Sequence, residues 1–235
     1  MTQSQILEPH DLDIIVTDDG SKTLRDKRTG LSYRSTSGAN TESRTVFFGC
    51  SRLMAREHPW TIVELGFGGA LNFLQTVTQA SGRVNYIAVD KNPVPPEVLQ
   101  GSGGETELAR EVLALCRERQ KPATVQDNGI SLTLYPTCWS RTSLGDVRAD
   151  AFYFDPFSPL DNPDAWTTEC FAWAALHCQQ DAVLSTYSAQ GQMRRRMRDA
   201  GFYVASAPGY GKKREFTVAS KSLEALAGYK LKYRP

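Results

Sequence analysis

Two stretches of this 235-residue chain put reactive side chains beside backbone turns. The first is Glu64-Leu65-Gly66-Phe67-Gly68-Gly69-Ala70, which follows the apolar run TIVEL, with Asp90 closing a second apolar run, VNYIAVD. Glycines there let the main chain turn sharply and let a ligand approach the backbone. Glu64, two residues before the first glycine, is placed to take an amino group, and Asp90 to accept a pair of ribose hydroxyls. The second stretch is Asp155 at the end of DAFYFD, followed by Pro156-Phe157-Ser158-Pro159 and then Asp161 to Trp166. A carboxylate at the end of a buried strand, beside a stiff proline-bearing loop, suits proton abstraction. Phe157 offers a face on which a flipped base would stack. Tyr187, ending AVLSTY, is placed to wall the same pocket or touch its substrate.

The glycine loop fits some cofactors better than others. A dinucleotide fingerprint needs a third glycine where Leu71 stands, and a P-loop needs Gly-Lys-Ser/Thr, which is absent. Glu64 before Gly66, Phe67 and Gly68 favours S-adenosyl-L-methionine, although Asp90 would serve either that cofactor or NAD. The histidines His10, His58 and His177 are scattered, and the five cysteines contain no C-x-x-C pair. Neither a metal site nor a disulfide framework is expected.

These residues need a scaffold, and the chain alternates in the way that builds one. Apolar strands are predicted at 61–65, 84–90, 130–135, 150–155, 182–187, 201–204 and 215–220. Helices are predicted over 70–80, 106–120, 165–178 and 191–200. That alternation implies an α/β fold with a Rossmann-like, mostly parallel seven-stranded sheet. Ligands in such sheets sit at the carboxyl ends of the strands, near the point where strand order reverses. Ahead of it, LDIIVT and KTLRDKR flank Asp19-Gly20 and read as a small β-ribbon. The spacing in 44–58 predicts a helix ended by Pro59. The expected division is an N-terminal extension over 1–43 and a main domain over 44–235.

Composition is ordinary for a globular chain, 40% hydrophobic and 23% charged, which excludes disorder, collagen and coiled coil. The polar N-terminus and the lack of a long apolar run point away from a secretory signal or a membrane span, and so to a cytoplasmic protein. The net charge of +1 conceals an asymmetry. Residues 1–190 carry 16 basic and 23 acidic side chains, and residues 191–235 carry 11 and 3. A basic tail on an acidic body suggests a polyanionic partner, with a solvated helix as the bland alternative. Arg194, Arg195, Lys212, Lys213 and Arg214 are the candidates for phosphate contact.

Four blocks in order carry a resemblance. ELGFGGALNFL, DAFYFDPFSPLDNPDAWT, STYSAQGQMRRRMRDAGFYV and GYGKKREFTVA are similar to segments of the methyltransferase domain of MnmC-like tRNA 5-methylaminomethyl-2-thiouridine biosynthesis proteins. YRSTSGANTES, from Tyr33, matches a further segment. The resemblance implies a class I S-adenosyl-L-methionine-dependent methyltransferase acting on the 5-aminomethyl group of the tRNA wobble uridine. It adds Tyr33, Asn72, Lys91, Cys138 and Trp139 to the expected cofactor-binding residues. It implies a stand-alone form, since the chain ends at Pro235 before the flavin-dependent oxidase domain of bifunctional relatives.

The match has departures. Ala70 replaces a usual glycine and Pro156 stands where many relatives have glycine. Tyr135 to Ser140 lacks the acid that in the family reaches the adenine amine, which leaves backbone groups or Trp139 to hold that ring. Methyl transfer to a small-molecule or protein amine, and tRNA binding without catalysis, stay open as alternatives.

Overall fold

The computed structural model describes residues 7–211 and 213–235, so Lys212 lies outside the described residues. Strand β1 (Leu12–Val16) pairs antiparallel with β2 (Lys22–Asp26), joined through Asp19 and Gly20 as the sequence predicts. Gly20 takes the positive φ of +79° that this turn requires.

Residues 44–58 do not form the single helix expected of them. A short helix α1 (Ala39–Glu42) runs into a π-helical turn over Ser43–Phe48, and a 3-10 turn follows at Leu53–Ala55. The break has a local cause. A side chain at Gly49 would meet the Arg44 carbonyl at 2.8 Å, and Arg52 sits in the left-handed region at φ +59°. The apolar spacing is still used, because Val46, Phe47 and Leu53 are fully buried.

The main body comprises β3 (Trp60–Leu65), α2 (Leu71–Val77), β4 (Val84–Val89), α3 (Glu107–Arg119), β5 (Ala123–Asp127), β6 (Ile130–Tyr135) and β7 (Ala149–Phe154). It continues with α4 (Thr168–Leu176), β8 (Cys178–Thr186), α5 (Gly191–Asp199), β9 (Tyr203–Pro208), β10 (Glu215–Ser220) and β11 (Lys230–Tyr233). The sheet order is β11-β9-β10-β8-β7-β3-β4-β6-β5. The seven expected strands are all present, but the sheet has nine. The two additions, β5 and β11, lie at its edges and pair antiparallel with β6 and β9. Strands β8, β7, β3, β4 and β6 are mutually parallel.

The central parallel strands are covered on both sides, and most of their residues are buried. All six residues of β7 are buried. One core, with Phe73, Val112 and Leu113, lies under α2 and α3. A second, with Phe171, Met193 and Met197, lies under α4 and α5. Strand order reverses between β3 and β7, and their carboxyl ends deliver Glu64 and Asp155 to one place. No helix among the described residues is long and apolar enough to cross a membrane.

Candidate active site

A cavity of about 330 Å³ opens at that reversal point. Its floor is the loop after β3, with Asp90 and Lys91 after β4 and Asp155 to Ser158 after β7. The ribbon strand β2 and the segment through Tyr33, Arg34 and Glu42 form one wall.

The loop after β3 fits tightly. Gly66 has φ +93°, and a Cβ there would lie 2.5 Å from the Asp155 carbonyl oxygen. Ala70 adopts φ +60°. Asp90 accepts from Gly68 N through Oδ2 and from Asn92 N through Oδ1, both at 2.9 Å. Burial pushes its carboxyl up, against the pull of those two N–H groups and Lys91. The N–H groups of Gly68, Asn92 and Phe67 face this carboxylate, and the remaining lone-pair site could still accept a ribose hydroxyl. Lys91 Nζ donates to Asn162 Oδ1 at 2.8 Å and fastens this end to the loop after β7. Thr137, Cys138 and Trp139 form the neighbouring wall, and Trp139 Nε1 donates to the Asp164 carbonyl at 3.1 Å. A flat apolar ring can lie against such a wall with no acid from 135–140.

The chemical centre is a buried ionic group. Asp155 Oδ2 is in contact with Arg34 Nη1 and accepts from Asn72 Nδ2 at 3.0 Å. The same amide donates to Glu64 Oε1 at 2.7 Å, and Tyr86 OH donates to Glu64 Oε2 at 2.8 Å. Ser43 Oγ donates to Asn72 Oδ1, which fixes the amide's orientation. Burial pushes the Glu64 carboxyl up to about 7, although Arg34, Asn72 and Tyr86 pull it down. Burial likewise drives the Asp155 carboxyl well above the usual range; Arg34 opposes this, and Glu64 and Glu42 add to it. With both contacts on Oδ2, Oδ1 is the Asp155 oxygen left to the cavity.

Outward from Asp155 the walls become aromatic and charged. Tyr33 meets Phe157 edge-on at 5.1 Å. Tyr187 OH donates to the Pro156 carbonyl at 2.9 Å, which props up the loop carrying Phe157. Lys213 Nζ lies 5.1 Å from the Tyr187 ring and donates to Glu42 Oε1 at 2.8 Å. Tyr210 OH donates to that same oxygen at 2.9 Å.

The expected site residues thus separate. Tyr33, Gly66, Gly68, Asp90, Lys91, Cys138, Trp139, Asp155, Phe157, Tyr187 and Lys213 border the cavity. Three expected cofactor ligands do not. Glu64 is fully buried with both oxygens engaged, Phe67 packs in the core near Phe73, and Asn72 serves the two acids. Their side chains support the cavity from behind. Arg194 is also corrected: it is 4% exposed and donates to Thr217 Oγ1, Glu215 Oε1 and the Phe216 carbonyl, so it has no surface for RNA. Arg195 and Arg214 are exposed, while Lys212, expected beside them, falls outside the described residues. Arg34, Glu42 and Tyr210 are not singled out by the sequence. Arg34 and Glu42 lie inside the Tyr33–Ser43 segment, and Tyr210 inside GYGKKREFTVA, so the signal is neighbourhood rather than type.

Residues 107–222 match the family described as S-adenosyl-L-methionine-dependent methyltransferase. The tRNA 5-methylaminomethyl-2-thiouridine biosynthesis bifunctional protein MnmC of Ralstonia nicotianae is 35% identical over 213 residues, covering 80% of this chain and 31% of that protein. The protein of the same name from Hahella chejuensis is 36% identical over 186 residues, covering 68% of this chain and 28% of that one. The chain therefore spans about a third of the length of these curated relatives. The crystal structure of MNMC2 from Aquifex aeolicus superposes with a TM-score of 0.73 at 26% identity, covering 94% of this chain and 72% of that one. Spermidine synthase from Thermotoga maritima, at 14% identity and a TM-score of 0.62 (97% and 74% covered), shares the fold.

Proposed function

We propose that the chain is an S-adenosyl-L-methionine-dependent methyltransferase of the MnmC type, with the class I fold, that methylates the 5-aminomethyl group of the tRNA wobble uridine. The observation that carries the reading is Asp155, a buried carboxyl at the end of β7 with one oxygen turned to the cavity, beside the backbone loop of β3.

The donor set suits the cofactor: an acid for the ribose at Asp90, a glycine cradle that a Cβ would fill, and a flat apolar wall at Trp139. When bound, S-adenosyl-L-methionine supplies a methyl group already activated by its sulfonium. The protein's work is then to position the acceptor and exclude water. An aliphatic amine is mostly protonated near pH 7 and cannot attack in that form. Asp155 Oδ1 accepts a hydrogen bond from the amine and takes its proton, while Arg34 and Asn72 hold Oδ2 and fix the carboxyl plane. Phe157 and Tyr187 flank the acceptor base. Lys213 reaches it from the outer rim, and Arg195 and Arg214 meet phosphates farther out. Four of the five free cysteines are buried, which suits a reducing, cytoplasmic setting.

The test is incubation with labelled S-adenosyl-L-methionine and tRNA bearing 5-aminomethyluridine, followed by nucleoside analysis. Labelled 5-methylaminomethyluridine is expected. Label in free amines or protein, with none in tRNA, would overturn the acceptor.

A further inference from the structure

The methionine arm of S-adenosyl-L-methionine ends in a carboxylate beside an ammonium, and a carboxylate taken out of water needs a cation or several donors. Five cations border the cavity: Lys22, Arg28, Arg34, Lys91 and Lys213. Lys22 and Lys91 are exposed, and Lys91 is bonded to Asn162. Arg28 is exposed and held by Asp26 at 2.9 Å and Asp11 at 3.6 Å. Lys213 is held by Glu42 at the outer rim. Arg34 is the buried one of the five, with 6% of its side chain exposed.

Its position is specific. Nη1 contacts Asp155 at the end of β7, and Nη2 lies 3.9 Å from Glu64 Oε1 near the end of β3. The guanidinium therefore spans the two strands between which the order reverses. Asp90 ends β4, on the far side of β3. One to two strand spacings, about 5–10 Å, separate these places. A ribose, a thioether and an extended three-carbon chain cover a similar distance.

The fork also has donors to spare. Nη1 is taken up by its contact with Asp155. The approach of Nη2 to Glu64 exceeds hydrogen-bond length. The Phe47 ring, 5.3 Å from Cζ, holds the group in place.

We propose that Arg34 binds the carboxylate of the cofactor's methionine arm. The inference rests on the cofactor reading above and extends it to a residue outside the glycine loop. The neighbouring Asp155 and Glu64 keep the guanidinium charged and oriented.

Calorimetry with three ligands tests it: S-adenosylhomocysteine, its decarboxylated form, and methylthioadenosine, which keeps only the adenosine end. The wild-type protein is expected to bind S-adenosylhomocysteine roughly 10- to 100-fold more tightly than the decarboxylated form. Arg34→Met strands a buried carboxylate and risks misfolding, so the double variant Arg34→Met/Asp155→Asn, which removes both halves of the pair, is measured beside Arg34→Lys. In the double variant the discrimination should vanish while methylthioadenosine binds within about threefold of wild type; Arg34→Lys should keep part of the discrimination. A wild type that does not discriminate, or a double variant that still does, would overturn the assignment. No heat with any of the three on the wild type would overturn the cofactor reading and Arg34's role with it.

Discussion

Glu64 and Asp155 end neighbouring parallel strands and share one hydrogen-bond donor, the Asn72 amide, at 2.7 and 3.0 Å. Arg34 touches the second acid and approaches the first. Two carboxyl groups this close and this dry cannot both ionise freely, and a single guanidinium offsets only part of the cost. The arrangement gives each acid a separate task. Glu64, sealed behind Asn72 and Tyr86, orients the amide and the guanidinium. Asp155, with an oxygen on the cavity, is the one that can reach an acceptor.

Asp155→Asn keeps the shape of the side chain and removes its proton-accepting oxygen. Methyl transfer should fall by about 10²- to 10⁴-fold, the range for losing a positioned base. S-adenosylhomocysteine affinity, measured by calorimetry, should change by no more than about threefold. Turnover near the wild-type rate would remove Asp155 from the chemistry.

Glu64 gives stability a particular pH dependence. Its carboxyl is raised from 4.5 to about 7 in the fold, chiefly by burial. The folded state then holds a proton that the unfolded chain has released. That contribution is complete below about pH 4.5 and is lost as pH rises to about 7. Relative to Glu64→Gln, the wild type should lose on the order of 3 kcal/mol across that window. Urea unfolding of both proteins at pH 5, 6 and 7 checks it, and a constant difference between them would place Glu64 at an ordinary carboxyl value.

The sequence displays the scaffold better than the wiring. Seven strands are legible because buried strands are continuous apolar runs such as DAFYFD. The edge strand β5 escapes the reading although Asn128-Gly129, with φ +47° and +82°, is a strong hairpin signal. ATVQD before it is half polar, as an edge strand can be, and so shows no apolar run. Asp90 and Asp155 are legible because a carboxylate at a strand end has few structural reasons to be there. Glu64 is expected at the correct strand end but on the wrong side of the site, since spacing does not say whether a side chain at the strand's end faces the cavity or the core. Arg34 and Glu42 cannot be found by type. They come from the segment between the ribbon and β3, and only the tertiary fold carries them to the ends of β3 and β7.

The arginines of the basic C-terminal stretch should divide by burial. Arg194→Ala removes three hydrogen bonds inside the β10 side of the core and should cost about 3 kcal/mol of stability in urea unfolding, with its tRNA effect following only from that destabilisation. Arg195→Glu and Arg214→Glu lie on exposed positions and should leave the melting temperature within about 2 °C. Each should weaken tRNA binding and lower the slope of log affinity against log salt by about 1, the change expected when one phosphate is no longer neutralised. Unchanged slopes in both would return these residues to a solvated surface.

The two glycines after β3 should fail in a definite order. At Gly66 the conformation is left-handed, φ +93°, and a Cβ would stand 2.5 Å from the Asp155 carbonyl oxygen, which is main chain and cannot turn aside. Gly66→Ala must therefore push β3 and β7 apart at the site itself, and a loss of about 3 kcal/mol or more is expected in chemical unfolding. At Gly68 the angle is φ +51°, close to the +60° of Ala70 in the same loop, and a side chain there carries left-handed backbone strain of about 1 kcal/mol. The new Cβ would meet Tyr33 Cδ1 at 3.0 Å, and a ring at a cavity wall can shift by a few tenths of an ångström. Gly68→Ala should therefore cost about 1 kcal/mol of stability, yet weaken S-adenosylhomocysteine binding, because moving Tyr33 narrows the cavity beside the Asp90–Gly68 hydrogen bond. Equal stability losses for the two substitutions would mean that the approach of the β3 loop to Asp155 is looser than the geometry requires.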